Sequence, residues 1–155
     1  MEESIKHPED FTGLLYEHLH LNRVNPGEYS PLTLAYIGDA VYELIIRTRV
    51  INQGSVQVNK MHKKSASLVK AETQAALIRV LEPQLTEEEH RIYKRGRNAK
   101  SASMAKHATM QDYRMATGFE ALAGYLYLSE RHARLFELVE AGLTLLGELE
   151  TGEES

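Results

Sequence analysis

Leu34-Ala35-Tyr36-Ile37-Gly38-Asp39-Ala40-Val41 places one carboxylate inside a run that otherwise reads as the core of a helix. Carboxylates are rarely buried without an opposite charge or a cation, so Asp39 needs a partner. Further on, Phe119-Glu120-Ala121-Leu122-Ala123-Gly124 repeats the arrangement, a lone acid among small and apolar residues. Two helices built this way suggest a shared cation site.

Around Asp39 the helix limits are explicit. Ser30 before Pro31 is an N-cap with proline at the first helical position, and the helix runs to about Ile51 with Gly54 just beyond. Ile37, Val41, Leu44 and Ile45 form an aliphatic stripe at three-and-four spacing. At about 100° per residue, Asp39 falls on the other side, with Ala35 one turn before it and Glu43 one turn after. Tyr42 and Ile46 share that side, and a helix apolar on both sides sits inside a bundle or at a subunit interface.

Glu120 is flanked on its own face by Ala116, Thr117, Ala123 and Gly124. Small neighbours let another backbone approach closely and bring a facing acid within reach. Gly124 inside a helix costs about 1 kcal/mol against alanine, which close packing would justify. Two carboxylates converging in a poorly solvated cleft repel unless a cation lies between them. Hard oxygen donors, no cysteine and no useful histidine spacing point to Mg²⁺ or Mn²⁺ rather than zinc. Glu43 is a candidate supporting acid. The alternative is that Asp39 and Glu120 each pair with an arginine and merely hold the bundle together; spacing leaves both open.

The rest of the chain is helical by period. A helix is predicted from Pro8 to about Leu21, a loop from Asn22 to Tyr29, and a further helix from about Asn59 to just before Pro83. Thr86 with Glu89 makes a capping box, opening a helix that ends near Arg95-Gly96. Residues 96–111 have no clear period and read as a mobile or binding loop. Helices follow over about 112–129 and 131–147, then a flexible acidic tail at 148–155. The expectation is one all-α domain over 1–155, with 1–29 an N-terminal helix and loop.

The 155 residues include no cysteine, which rules out disulfides and thiolate metal sites. The N-terminus lacks a signal-peptide layout, and no apolar run reaches the roughly 18 residues of a membrane span. The expectation is a cytoplasmic protein with no membrane association. The net charge of −4 conceals segregation. Between Lys60 and Arg114 there are 12 Lys and Arg against 6 acids, leaving 6 against 16 elsewhere. Polyanion binding follows the local field.

Three stretches in the basic segment suit a sugar-phosphate backbone: His62-Lys63-Lys64-Ser65, Arg95-Gly96-Arg97-Asn98-Ala99-Lys100, and Tyr113-Arg114. Each alone is equally a solvated surface. Beside a metal site they suit a phosphodiester substrate.

Tyr36-Ile37-Gly38-Asp39-Ala40-Val41 resembles the ribonuclease III signature, and Phe119-Glu120-Ala121-Leu122-Ala123-Gly124 resembles the second catalytic stretch of that family, 81 positions on. The two basic runs at 62–65 and 94–100 are similar to its compact Mini-III branch, which lacks a separate double-stranded-RNA-binding domain. Ala35 and Thr117 stand where larger members carry further acids. The resemblance covers roughly residues 30–145.

It implies a ribonuclease III catalytic-domain helical bundle, with Asp39 and Glu120 catalytic and holding Mg²⁺, or Mn²⁺. It implies a homodimer whose two sites each cut one strand of double-stranded RNA, with precursor 23S ribosomal RNA as the substrate in that branch. A ribosomal protein is a candidate helper. His62, Lys63, Lys64, Ser65, Arg95, Arg97, Asn98, Lys100, Tyr113 and Arg114 would bind RNA. The competing account is a non-catalytic double-stranded-RNA-binding or ribosome-assembly module on the same fold. A helical di-metal protein is disfavoured, since Glu87-Glu88-Glu89-His90 gives one Glu-x-x-His where two are needed.

Overall fold

In the computed structural model, residues 10–54, 57–100 and 109–149 are described. They form seven α-helices and no strand. These are α1 (Phe11–His18), α2 (Pro31–Asn52), α3 (Val58–Val69), α4 (Ala71–Leu81), α5 (Glu87–Asn98), α6 (Met110–Leu128) and α7 (His132–Leu145). Single 3₁₀ turns at Pro26–Glu28 and Glu82–Gln84 introduce α2 and α5. No helix among the described residues is long and apolar enough to cross a membrane.

The centre of the bundle is α6. From Met115 to Leu126 every side chain except Glu120 is buried, and a helix apolar all round has to be enclosed. It packs against α2, α4, α5 and α7. Its flank on α2 carries an edge-to-face pair, Phe119 against Tyr42, with ring centroids 5.2 Å apart.

The predicted caps are present. The Ser30 hydroxyl accepts from the Thr33 amide at 3.1 Å, and Thr86 and Glu89 bond reciprocally. Glu89 is then held by Arg134, whose guanidinium also reaches the Gln84 carbonyl, so one buried acid ties α5 to α7.

Three expectations need correction. Helix α1 stops at His18 rather than Leu21, because His20 turns left-handed at φ 56°. The helix expected from 59 to 83 is two helices, broken at Lys70 where ψ swings to 160°. Helix α5 does not end at Gly96 but continues to Asn98, because a glycine there lets the helix lie against Gly118 and Ala121 of α6. Within the expected loop 96–111, residues 101–108 lie outside those described. Of the acidic tail only Glu148 and Leu149 are described, and Leu149 packs partly buried on the core.

Candidate active site

Asp39 lies on α2 and Glu120 on α6, where the two helices touch backbone to backbone. A Cβ at Gly38 would overlap the Glu120 carbonyl and come within 2.7 Å of the Gly124 nitrogen. One at Gly124 would overlap the Leu34 carbonyl. Only hydrogens at these two positions allow this crossing, and the residue after the first glycine and the residue at its point of contact are the two acids.

The carboxyls meet. Burial first, and the negative charge of Asp39 second, push the Glu120 carboxyl up to about 8. A hydrogen bond between the two groups adds to that shift, favouring the protonated form of Glu120. The Gln74 amide, from α4, lies against Glu120 and alone favours its ionised form. Neither acid is paired with an arginine, lysine or histidine among the described residues. Glu43 differs. Its carboxylate takes two bonds from Arg47, at 2.7 and 3.1 Å, one turn further along α2.

Two hard carboxylates with no cationic partner among the described residues, one pushed towards its neutral form by its surroundings, form a donor set that fits a small divalent cation. Mg²⁺ commonly takes one or two carboxylates and keeps its waters. Among the described residues no group of three or more His, Cys, Asp or Glu forms a fuller cage. The position of Thr117 carries a hydroxyl bonded to the Tyr113 carbonyl at 3.0 Å, and Ala35 is buried.

The basic residues fall into separate groups. Arg97, Asn98 and Arg114 line one cleft, between the end of α5 and the start of α6. Arg79 of α4 joins them, bonded towards Asp112 at 3.6 Å and the Met115 sulfur at 3.5 Å. Arg97 stacks over Tyr93, 5.5 Å from the ring centre. Arg95 points elsewhere, to the Tyr29 carbonyl at 3.4 Å, and Lys100 is exposed. Lys63 and Lys64 are exposed on α3, while His62 lines a small cleft with Arg47. Ser65 is not on that surface. It is buried, its small side chain turned to the inner side of α3. Tyr113 is partly buried.

Sequence reasoning overlooked Gln74 and Arg79. Arg79 was countable within the basic segment, but its place opposite Arg114 depends on how α4 crosses α6. Gln74 had no signal at all.

A second feature is the outer side of α2. Ile37, Ala40, Val41, Leu44 and Ile45 form with Phe11, Leu135 and Phe136 an apolar groove of about 380 Å³. Phe11, Leu44 and Phe136 are each more than half exposed. Of the predicted stripe Leu44 is exposed and Ile37, Val41 and Ile45 are partly buried, while the core face of α2 is Leu34, Gly38, Tyr42, Ile46 and Val50.

An all-helical bundle that sets one acid from each of two crossing helices side by side defines a class, and the Ribonuclease III domain matches residues 32–131. The chain belongs to the ribonuclease III family and is an endoribonuclease. Its relatives fall within the compact Mini-III branch. It is 50% identical to Mini-ribonuclease 3 of Clostridium tetani, over 81% of this chain and 84% of that one. It is 47% identical to Mini-ribonuclease 3 of Symbiobacterium thermophilum, over 76% and 90%. A crystal structure of a protein from Fusobacterium nucleatum superposes with a TM-score of 0.70 at 30% identity, covering 79% of this chain and 96% of that one.

Proposed function

We propose that this endoribonuclease cuts double-stranded RNA with a divalent cation, Mg²⁺ or Mn²⁺, held by Asp39 and Glu120. The observation that carries this reading is the acid pair itself, in contact and without a basic partner among the described residues. When bound, such a cation supplies Lewis-acid polarisation of a phosphoryl oxygen and acidifies a water for attack. Asp39, exposed on α2, faces the solvent side from which a phosphodiester arrives. Glu120, deeper, gives up its proton on ionising.

Lys63, Lys64, Arg95, Lys100 and the cleft of Arg97, Asn98 and Arg114 then bind phosphates without reading bases, as A-form RNA requires. His62 lies at the edge of that surface; Ser65 and Tyr113 support it from inside. Glu43, neutralised by Arg47, acts at most on the shape of the site. The Mini-III likeness supports precursor 23S ribosomal RNA as the substrate, a cytoplasmic setting, and a ribosomal protein as helper. The whole chain would act as one catalytic domain.

The apolar groove along α2 supports a homodimer. A second copy placing its own α2 and Phe136 there would bury a surface too apolar for water, and an isologous pair suits the local twofold symmetry of a duplex. Leu44→Glu should then sediment as a monomer, and a variant that stays dimeric would move the interface elsewhere.

Cleavage is tested on a long RNA duplex with and without EDTA. Wild type should yield 5′-phosphate ends only when Mg²⁺ or Mn²⁺ is present. Asp39→Asn should lose at least about 100-fold in rate while still binding the duplex in Ca²⁺. Undiminished cleavage by that variant would remove Asp39 from the site.

A further inference from the structure

The break between α3 and α4 leaves the last carbonyls of α3 without helical donors, and three side chains supply the missing bonds. Thr73 Oγ1 donates to the Ser67 carbonyl at 2.6 Å, the Tyr42 hydroxyl to Leu68 at 2.9 Å, and Gln74 Nε2 to Val69 at 2.7 Å. Gln74 is 1% exposed and its Oε1 has no hydrogen-bond partner. An unsatisfied buried carbonyl costs stability, so a glutamine that served only as a cap would be a poor choice here. The same amide also lies against the Glu120 carboxyl and favours its ionised form.

We propose that Gln74 is a positioning residue for the nuclease site: anchored on Val69, its amide holds the Glu120 carboxylate in the orientation that grips the cation. This rests on the assignment of Asp39 and Glu120 as the cation site. The physical logic is that of partners which orient a metal-binding side chain: they fix the angle of the ligand, and their loss costs tenfold or more in metal affinity. Because Gln74 adjoins the end of α3, which carries Lys63 and Lys64, the break at Lys70 also ties the placement of Glu120 to a helix proposed to lie on RNA.

The test is Mn²⁺ affinity, read by electron paramagnetic resonance of the free ion, on wild type, Gln74→Met, Thr73→Val and Glu120→Ala, with melting temperatures alongside. Gln74→Met keeps the volume and loses the amide. Thr73→Val removes a neighbouring cap with no contact to either acid. Gln74→Met should bind Mn²⁺ at least tenfold more weakly, while Thr73→Val binds as wild type at a comparable loss of melting temperature. Unchanged affinity in Gln74→Met, or equal losses in both variants, overturns the proposal and leaves Gln74 a cap. Should Gln74→Met not fold, the wild-type side-chain amide resonance of Gln74 decides: it should shift on Mg²⁺ titration, and an unmoved resonance overturns the idea. Failure of the underlying site shows separately, as full Mn²⁺ affinity in Glu120→Ala.

Discussion

The crossing of α2 and α6 and the corner between α3 and α4 are both close junctions, built by opposite means. At the crossing the side chains are removed: Gly38 and Gly124 let carbonyls touch the opposing backbone. At the corner side chains are added: Thr73, Tyr42 and Gln74 replace the helical donors that the break takes away. The first junction sets the distance between the two acids. The second sets which amide reaches one of them. Removal of a side chain leaves no slack, whereas added hydrogen bonds can be lost one at a time, so the two should fail differently.

Gly38→Ala tests the rigid junction. In an ordinary helix the change gains about 1 kcal/mol in propensity. Here the added methyl meets backbone atoms of Glu120 and Gly124, which cannot rotate away. The clash decides the sign. A loss of roughly 3 kcal/mol or more in urea unfolding is expected, together with loss of cleavage. Ordinary stability in Gly38→Ala would mean that α2 and α6 are not in backbone contact.

The same contrast explains what could be read in advance. Glycine beside an acid in an apolar helix is a local mark, so the close crossing and the caps at Ser30 and Thr86 were legible from spacing, whereas spacing left open whether the two acids face each other or pair with arginines. The corner was not. Between Asn59 and Glu82 there is no glycine or proline to announce a break, and the donors that stabilise it come from Tyr42 on another helix and from residues that look like ordinary helix interior. The outer stripe on α2 was visible as a pattern, yet its direction was not: period alone cannot say which of two apolar sides meets α6. Arg79 and Gln74 were missed for the same reason, since their roles exist only through α4 packing on α6.

The acid pair makes the crossing sensitive to pH. In the folded, cation-free protein Glu120 titrates at about 8 against an ordinary value of 4.5. The fold therefore binds a proton that the unfolded chain releases. Stability from this group is complete below 4.5 and is lost as pH rises towards 8. Across that window urea unfolding should show a decline on the order of 5 kcal/mol. Asp39→Asn removes the facing charge but not the burial, so it should make the slope shallower, and saturating Mg²⁺ should abolish it by replacing the proton. Stability that rises over the same window in EDTA would mean that Glu120 is ionised and partnered.

Tyr42→Phe probes the corner at one bond. The ring stays, and with it the edge-to-face contact with Phe119. Only the hydroxyl that caps the Leu68 carbonyl is lost. Burial pushes the Tyr42 phenol well above its usual range, so it donates as a neutral group at every accessible pH. The expected loss is about 1 kcal/mol, the cost of one buried carbonyl left without a donor. Gln74 and Thr73 still close the other two carbonyls, so α3 should keep its end and Mn²⁺ should bind as in wild type. A loss as large as that of Gly38→Ala would show that the corner is as brittle as the crossing, with its three bonds acting as one.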